Sequence, residues 1–232
     1  MTPNINLQPQ ILKNPKRLTL FLGHYGSGKT NIAINYALAL RRCGKEVGIA
    51  DLDIVNPYFR TKDSLKELCD AGIRLICSEY ANSNVDIPAL PQEMYAVTDD
   101  KSSYMILDIG GDDRGALALG RLVPEIKAEN NYDMLMVINR FRPLTRDTAA
   151  TLEVMREIEL ACGMSFTGLV NNSNLGAETT TQDILSSLTY AEEVSEASGL
   201  PVVMTTVKEE LCGEAQDKIN EVFPLRLQKK II

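Results

Sequence analysis

The chain predicts an α/β fold, a doubly wound and mostly parallel sheet of about seven or eight strands with helices on both faces. Three observations carry this expectation. Short apolar runs alternate with stretches of helical period from Leu18 towards the C-terminal region. The runs are dense in Val, Ile, Leu and Met without strict polar alternation, as strands buried on both faces require. The helical stretches stop at Gly44, Gly163 and Gly199, and glycine just past the last periodic residue is the expected C-terminal stop. Alternating β and α units place helices on both sides of one sheet.

Taken in order, the strands are expected at Leu18–Leu22, Glu46–Ala50, Arg74–Cys77, Tyr104–Ile109, Met134–Asn139, Thr167–Asn171 and Val202–Thr205. Helices are expected at Asn31–Cys43, Thr145–Cys162 and Thr181–Ser198. Leu225–Ile231 alternates like an edge strand. No repeat or low-complexity linker divides the chain, so residues 1–15 are expected as an N-terminal extension and 16–232 as a single domain.

Composition narrows the function classes. The 232 residues suffice for one large core. A net charge of −7 argues against a protein that coats nucleic acid through its overall field. No run approaches the length of a membrane span, and "MTPNINLQPQILKNPKR" lacks the apolar core of a signal peptide. Cys43, Cys69, Cys77, Cys162 and Cys212 form no C-x-x-C pair. Reduced thiols and a cytoplasmic location are therefore expected, with no direct binding to nucleic acid or membrane.

The stretch "GHYGSGKT", Gly23 to Thr30, fits G-x-x-x-x-G-K-[ST] between a strand ("LTLFL") and a helix ("NIAINYALALRRCG"). Glycines let successive backbone N–H groups curl round a phosphate, and the helix presents its positive end to it. Gly23, His24, Tyr25, Gly26, Ser27, Gly28, Lys29 and Thr30 are thus the candidate nucleotide cradle. Lys29 is expected to reach the β- and γ-phosphates and Thr30 to ligate Mg²⁺. Two carboxylate stations follow at strand ends. "VGIADLDIVNP" places Asp51 and Asp53 where a strand emerges, and "YMILDIGGDDRG" does the same for Asp108. The C-terminal edge of a parallel sheet is where ligands bind. Asp108 suits the role of fixing Mg²⁺, and Asp53 could orient the attacking water; with Thr30 they form the candidate metal set. Gly110 and Gly111 would let the backbone approach a γ-phosphate and move when it leaves.

Phosphate loop, D-x-D strand end and "LDIGG", in that order, resemble the MinD/ParA family of P-loop ATPases, in the class with a deviant phosphate loop. The resemblance runs from about Leu18 to Thr205 and implies the P-loop NTPase fold. The family's loop reads K-G-G-x-G-K-[ST]. On that spacing His24 stands where the family has its signature lysine, and Tyr25 replaces a glycine. In the family that lysine reaches across a nucleotide-sandwich dimer to the partner's ATP. An imidazole is only a conditional cation, favoured in its charged form by nearby phosphates, and when neutral it still donates one hydrogen bond. Arg60 and Arg114 are alternative sources of the charge. The resemblance further implies that Asn172, or failing that Asn171, in "GLVNNSNLG" reads the adenine, and that Thr205–Leu211 passes over the base. Arg140, Arg142 and Arg146 make a small basic cluster that reads either as a solvated face or as a docking surface.

The resemblance implies Mg²⁺-ATP as ligand and a slow ATPase, with Lys29 and Asp53 catalytic. The protein would act as a switch on a nucleotide-dependent homodimer or another protein partner. One alternative is a metabolic ligase or kinase of the dethiobiotin or cobyrinate amide-forming type. Another is a module that holds nucleotide without turnover. The segment Ser78–Asp86 and the prolines after it are a candidate partner or substrate surface.

Overall fold

Strand β1 (Leu18–Leu22) lies in the middle of an eight-stranded sheet whose order is β3-β2-β4-β1-β5-β6-β7-β8. The computed structural model describes residues 9–52, 62–77, 92–110, 115 and 119–227. The other strands are β2 (Val47–Leu52), β3 (Arg74–Cys77), β4 (Tyr104–Ile109), β5 (Tyr132–Ile138), β6 (Gly168–Asn171), β7 (Val202–Lys208) and β8 (Val222–Leu225). Every neighbouring pair is parallel. All five β1 residues and all six β2 residues are buried. That burial on both faces is why these strands read as unbroken apolar runs.

Helices cover both faces. On one side lie α1 (Gln10–Lys13), α2 (Lys29–Arg42) and α3 (Lys62–Asp70), whose Leu12, Ile32, Tyr36, Leu40 and Leu68 pack with Phe21, Ile49, Ile106 and Val137 of the sheet. On the other side lie α4 (Gln92–Asp99), α5 (Val123–Glu129) and α6 (Thr148–Cys162). They are joined there by α8 (Leu188–Ser198), preceded in the chain by α7 (Thr181–Ser186). A smaller cluster joins Ile184 of α7 and Val207 of β7 to Cys212 and Ala215 of α9 (Cys212–Ala215) and to Val222 of β8. Among the described residues no helix is long and apolar enough to cross a membrane.

The expected strands all form, and β1, β3 and β4 have the expected bounds. Two readings are corrected. The helix expected at Thr181–Ser198 is two helices, broken at Ser187. Ser187 Oγ donates to Ile184 O at 2.7 Å and accepts from Asn171 Nδ2 at 2.9 Å, so a buried serine diverts the chain from one axis to the next. The last strand begins earlier than expected, at Val222, and pairs with Thr205–Lys208. Residues 228–232 lie outside the described part.

From β1 the chain crosses to β2 and β3, returns to β4 beside β1, and only then passes to β5 on β1's other side. The direction of winding therefore reverses around β1. In an open parallel sheet the crevice beyond the strand ends at that point is where ligands bind.

Candidate functional site

The phosphate loop begins where β1 ends. Its first turn is closed by Ser27 N donating to His24 O at 3.1 Å. Gly23 sits against β5, where a Cβ would lie 2.5 Å from Val137 O, so only glycine lets the loop leave the sheet along this path. Gly28 has φ +93°, in the left-handed region, and caps α2 without any side chain. The amides of the first turn of α2 therefore keep no side-chain acceptor from the cap and face outward as anion donors. By contrast, Asp147 caps α6 through Ala150 N, and Thr180 caps α7 through Asp183 N.

Lys29 is buried at 6% exposure and its Nζ donates to His24 O at 3.4 Å, which folds the ammonium back over the loop. His24 Nδ1 lies 3.0 Å from Tyr25 O. A carbonyl oxygen only accepts, so Nδ1 is the donor in this contact. Tyr25 is 67% exposed at the loop's tip.

Behind the loop, Asn172 follows directly on β6. Its Nδ2 donates to Ser27 O at 2.6 Å, and its Oδ1 accepts from Thr206 Oγ1 at 2.5 Å. It is 1% exposed. Asn171, the second choice for a base contact, points to the other face of the sheet and binds Ser187. Thr205–Lys208, expected as the start of a loop, continues β7, and only Glu209–Leu211 turns away from the sheet.

Asp51 of β2 and Asp108 of β4 are register partners, and Asp108 is also the partner of Phe21 in β1. Phe21 packs against α2, so both carboxylates project to the α2 face, near the C-terminal ends of their strands. They are 4% and 1% exposed. Asp51, Asp108 and, at the start of α2, Thr30 carry oxygen donors of the kind Mg²⁺ takes. Asp53 and Gly111 lie outside the described residues, as do Arg60, Arg114 and the Ser78–Asp86 segment. Among the described residues there is no cluster of three or more His, Cys, Asp or Glu side chains that could hold a metal.

The turn after β5 completes the rim. Arg140 Nη1 donates to Ser186 O at 2.5 Å, and Arg146 pairs with Asp147 at 3.2 Å. Arg142 instead lies against Gly26 of the phosphate loop. Sequence reasoning grouped these three arginines without separating them. It also gave a role to Asp53 rather than to Asp51, whose register with Asp108 no local pattern reveals.

The CobQ/CobB/MinD/ParA nucleotide binding domain profile (CbiA) matches residues 23–199, more than half of the chain. The chain belongs to this family. A stretch of 59 residues is 41% identical to the cytosolic Fe-S cluster assembly factor NUBP2 of Gallus gallus, covering 24% of this chain and 22% of that protein. Among solved structures, cell division protein FtsY of Thermotoga maritima is similar with a TM-score of 0.59 and 18% identity, over 89% of this chain and 66% of that one. The signal recognition particle 54 kDa protein of Aeropyrum pernix, in complex with GDP, is similar with a TM-score of 0.51 and 14% identity, over 85% and 43%. The chain spans less than two thirds of each of these relatives, and at such identities the solved structures attest the fold alone. The chain is a MinD/ParA-type nucleotide-binding domain with histidine at the place of the signature lysine.

Proposed function

We propose that the protein is a slow ATPase that works as a nucleotide-dependent switch on a second copy of itself or on another protein. The observation that carries this reading is the phosphate loop. Glycine-capped α2 leaves amide donors free of a capping side chain, Lys29 is folded over the loop, and Asp108, beside β1, and its register partner Asp51 lie buried on the α2 face.

In this reading Gly23–Thr30 cradles the phosphates and Lys29 reaches the β- and γ-oxygens. Thr30, Asp53 and Asp108 would hold Mg²⁺, which when bound neutralises charge on those oxygens. Asp53 orients a water molecule whose oxygen attacks the γ-phosphorus in line. The bond to the β–γ bridging oxygen breaks, leaving ADP and phosphate, while Lys29 and the loop amides stabilise the developing charge. Loss of the γ-phosphate releases the backbone at Gly111 and with it the partner surface. Asn172 abuts the phosphate loop through Ser27 O, and we assign it to the adenine end of the site. The iron–sulfur role in the name of the chicken relative is not carried over, because the match reaches 22% of that protein.

The test is phosphate release from Mg²⁺-ATP and from Mg²⁺-GTP by the purified protein, with Lys29→Ala alongside. The expected result is slow turnover of ATP in preference to GTP, lowered by about a hundredfold or more in Lys29→Ala. Faster turnover of GTP would overturn the assignment of the base. For the switch, sedimentation of Asp53→Ala should give a dimer with Mg²⁺-ATP and a monomer with Mg²⁺-ADP. A monomer with both nucleotides would remove the self-dimer and turn the search to another protein partner or a small-molecule acceptor.

A further inference from the structure

We infer that Arg142 is a phosphate-binding residue of the nucleotide site, a guanidinium supplied in cis from the turn after β5. This deepens the nucleotide reading above and rests on it.

The placement is specific. A Cβ built on Gly26 would lie 3.6 Å from Arg142 Nε, 3.7 Å from its Cζ and 3.9 Å from its Cδ, so the head of the side chain rests against the bare face of the phosphate loop. The turn that carries it is prebuilt. Arg142 N donates to Asn139 O at 3.0 Å, Thr145 N donates to Arg142 O at 3.1 Å, and Thr145 Oγ1 closes on Asn139 O at 2.7 Å. Asn139 itself is buried and accepts Phe141 N on its Oδ1 at 3.0 Å. Pro143 has its own φ fixed by its ring and keeps Arg142 before it in extended backbone.

Arg142 also differs from its two neighbouring arginines in what holds it. Arg140 and Arg146 are engaged by Ser186 O and Asp147. None of the ion pairs among the described residues includes Arg142, although acidic residues outnumber basic ones by 31 to 24. Its guanidinium instead shares the loop with the Lys29 ammonium and the positive end of α2. A planar guanidinium beside the loop matches two oxygens of a phosphate that the loop amides and Lys29 would also contact. Arg142 thereby supplies a permanent charge at a loop in which histidine stands where the family has its signature lysine.

The experiment is isothermal titration of Mg²⁺-ATP and Mg²⁺-ADP into the wild type and into Arg142→Ala, Arg142→Gln, Arg142→Lys and Lys29→Ala, at low and at high salt. Arg142→Ala and Arg142→Gln are expected to weaken binding about tenfold or more at low salt, with Arg142→Lys in between. The gap from wild type should narrow as salt rises, which a merely structural role would not produce. Near-wild-type affinity in Arg142→Ala and Arg142→Gln, with binding lost in Lys29→Ala, would overturn this inference and leave the nucleotide reading standing. A salt-independent loss shared by Arg142→Lys would overturn it in favour of a packing role. Absence of binding by the wild type would remove the nucleotide reading and this inference with it.

Discussion

The side chain of Asn172 donates to Ser27 O at 2.6 Å and accepts from Thr206 at 2.5 Å, so one buried amide joins the phosphate loop to the ends of β6 and β7. Neither partner can be exchanged for water at 1% exposure. Asn172→Ala is therefore expected to cost about 1–3 kcal/mol of stability, the range for a buried group left without its partner. Nucleotide affinity should fall as well, because the loop loses its brace. Urea unfolding and a nucleotide titration on one preparation check both. The same contact constrains Gly28, where an added Cβ would come within 2.3 Å of Asn172 Nδ2. Gly28→Ala adds that clash to a left-handed backbone, so it should be the more damaging substitution in the same unfolding assay.

At the scale of elements, Ser187 separates α7 from α8 and holds Asn171 of β6 to that junction. Ser187→Ala leaves a fully buried asparagine amide without its acceptor and is expected to cost about 1–3 kcal/mol, read as a lower urea midpoint with an unchanged slope. This junction also marks where the sequence stopped being legible. The apolar period runs through Thr181–Ser198 without interruption, and serine is tolerated inside helices, so nothing local announces a break. What makes it is a hydrogen bond to a strand end 16 residues away in sequence. The strands were legible because burial on both faces leaves continuous apolar runs. β5 and β7 outran their expected bounds through Tyr132, Asp133 and Thr206, polar or mixed residues that pairing with neighbours keeps in the ladder. The site divides in the same way. The phosphate-loop pattern at Gly23–Thr30 was legible because its spacing runs along the chain. Asn172 on Ser27 and Arg142 on Gly26 were not, because those contacts join residues 145 and 116 positions apart.

On the scale of the whole molecule, the edge of the sheet opposite the candidate site is tied by Arg17, 6% exposed, just before β1. Its Nη1 donates to Val97 O at 3.1 Å and to Asp100 O at 2.9 Å, and its Nε and Nη2 grip the Glu129 carboxylate at the end of α5. Lys101 adds a second cation to Glu129 at 2.5 Å. The hydrogen bonds from Arg17, with the one from Lys101, hold the Glu129 carboxyl below the usual glutamate range despite its burial. A lowered folded value means that the stabilisation is fully present above the unfolded value, about 4.3, and is lost as pH falls through the folded one. Glu129→Gln leaves a buried guanidinium without its counter-charge and is expected to cost about 3 kcal/mol at pH 7. As pH falls from the unfolded value through the lowered folded one the wild type protonates Glu129 too, so the difference between the two proteins should shrink at the acid end of the series. Thermal melts across pH 3–7 measure it, with nucleotide titration at pH 7 as the companion. Because the knot and the phosphate loop occupy opposite ends of β1, affinity should be unchanged while the melting temperature drops. An equal drop at every pH of the series would mean that Glu129 acts through packing rather than charge.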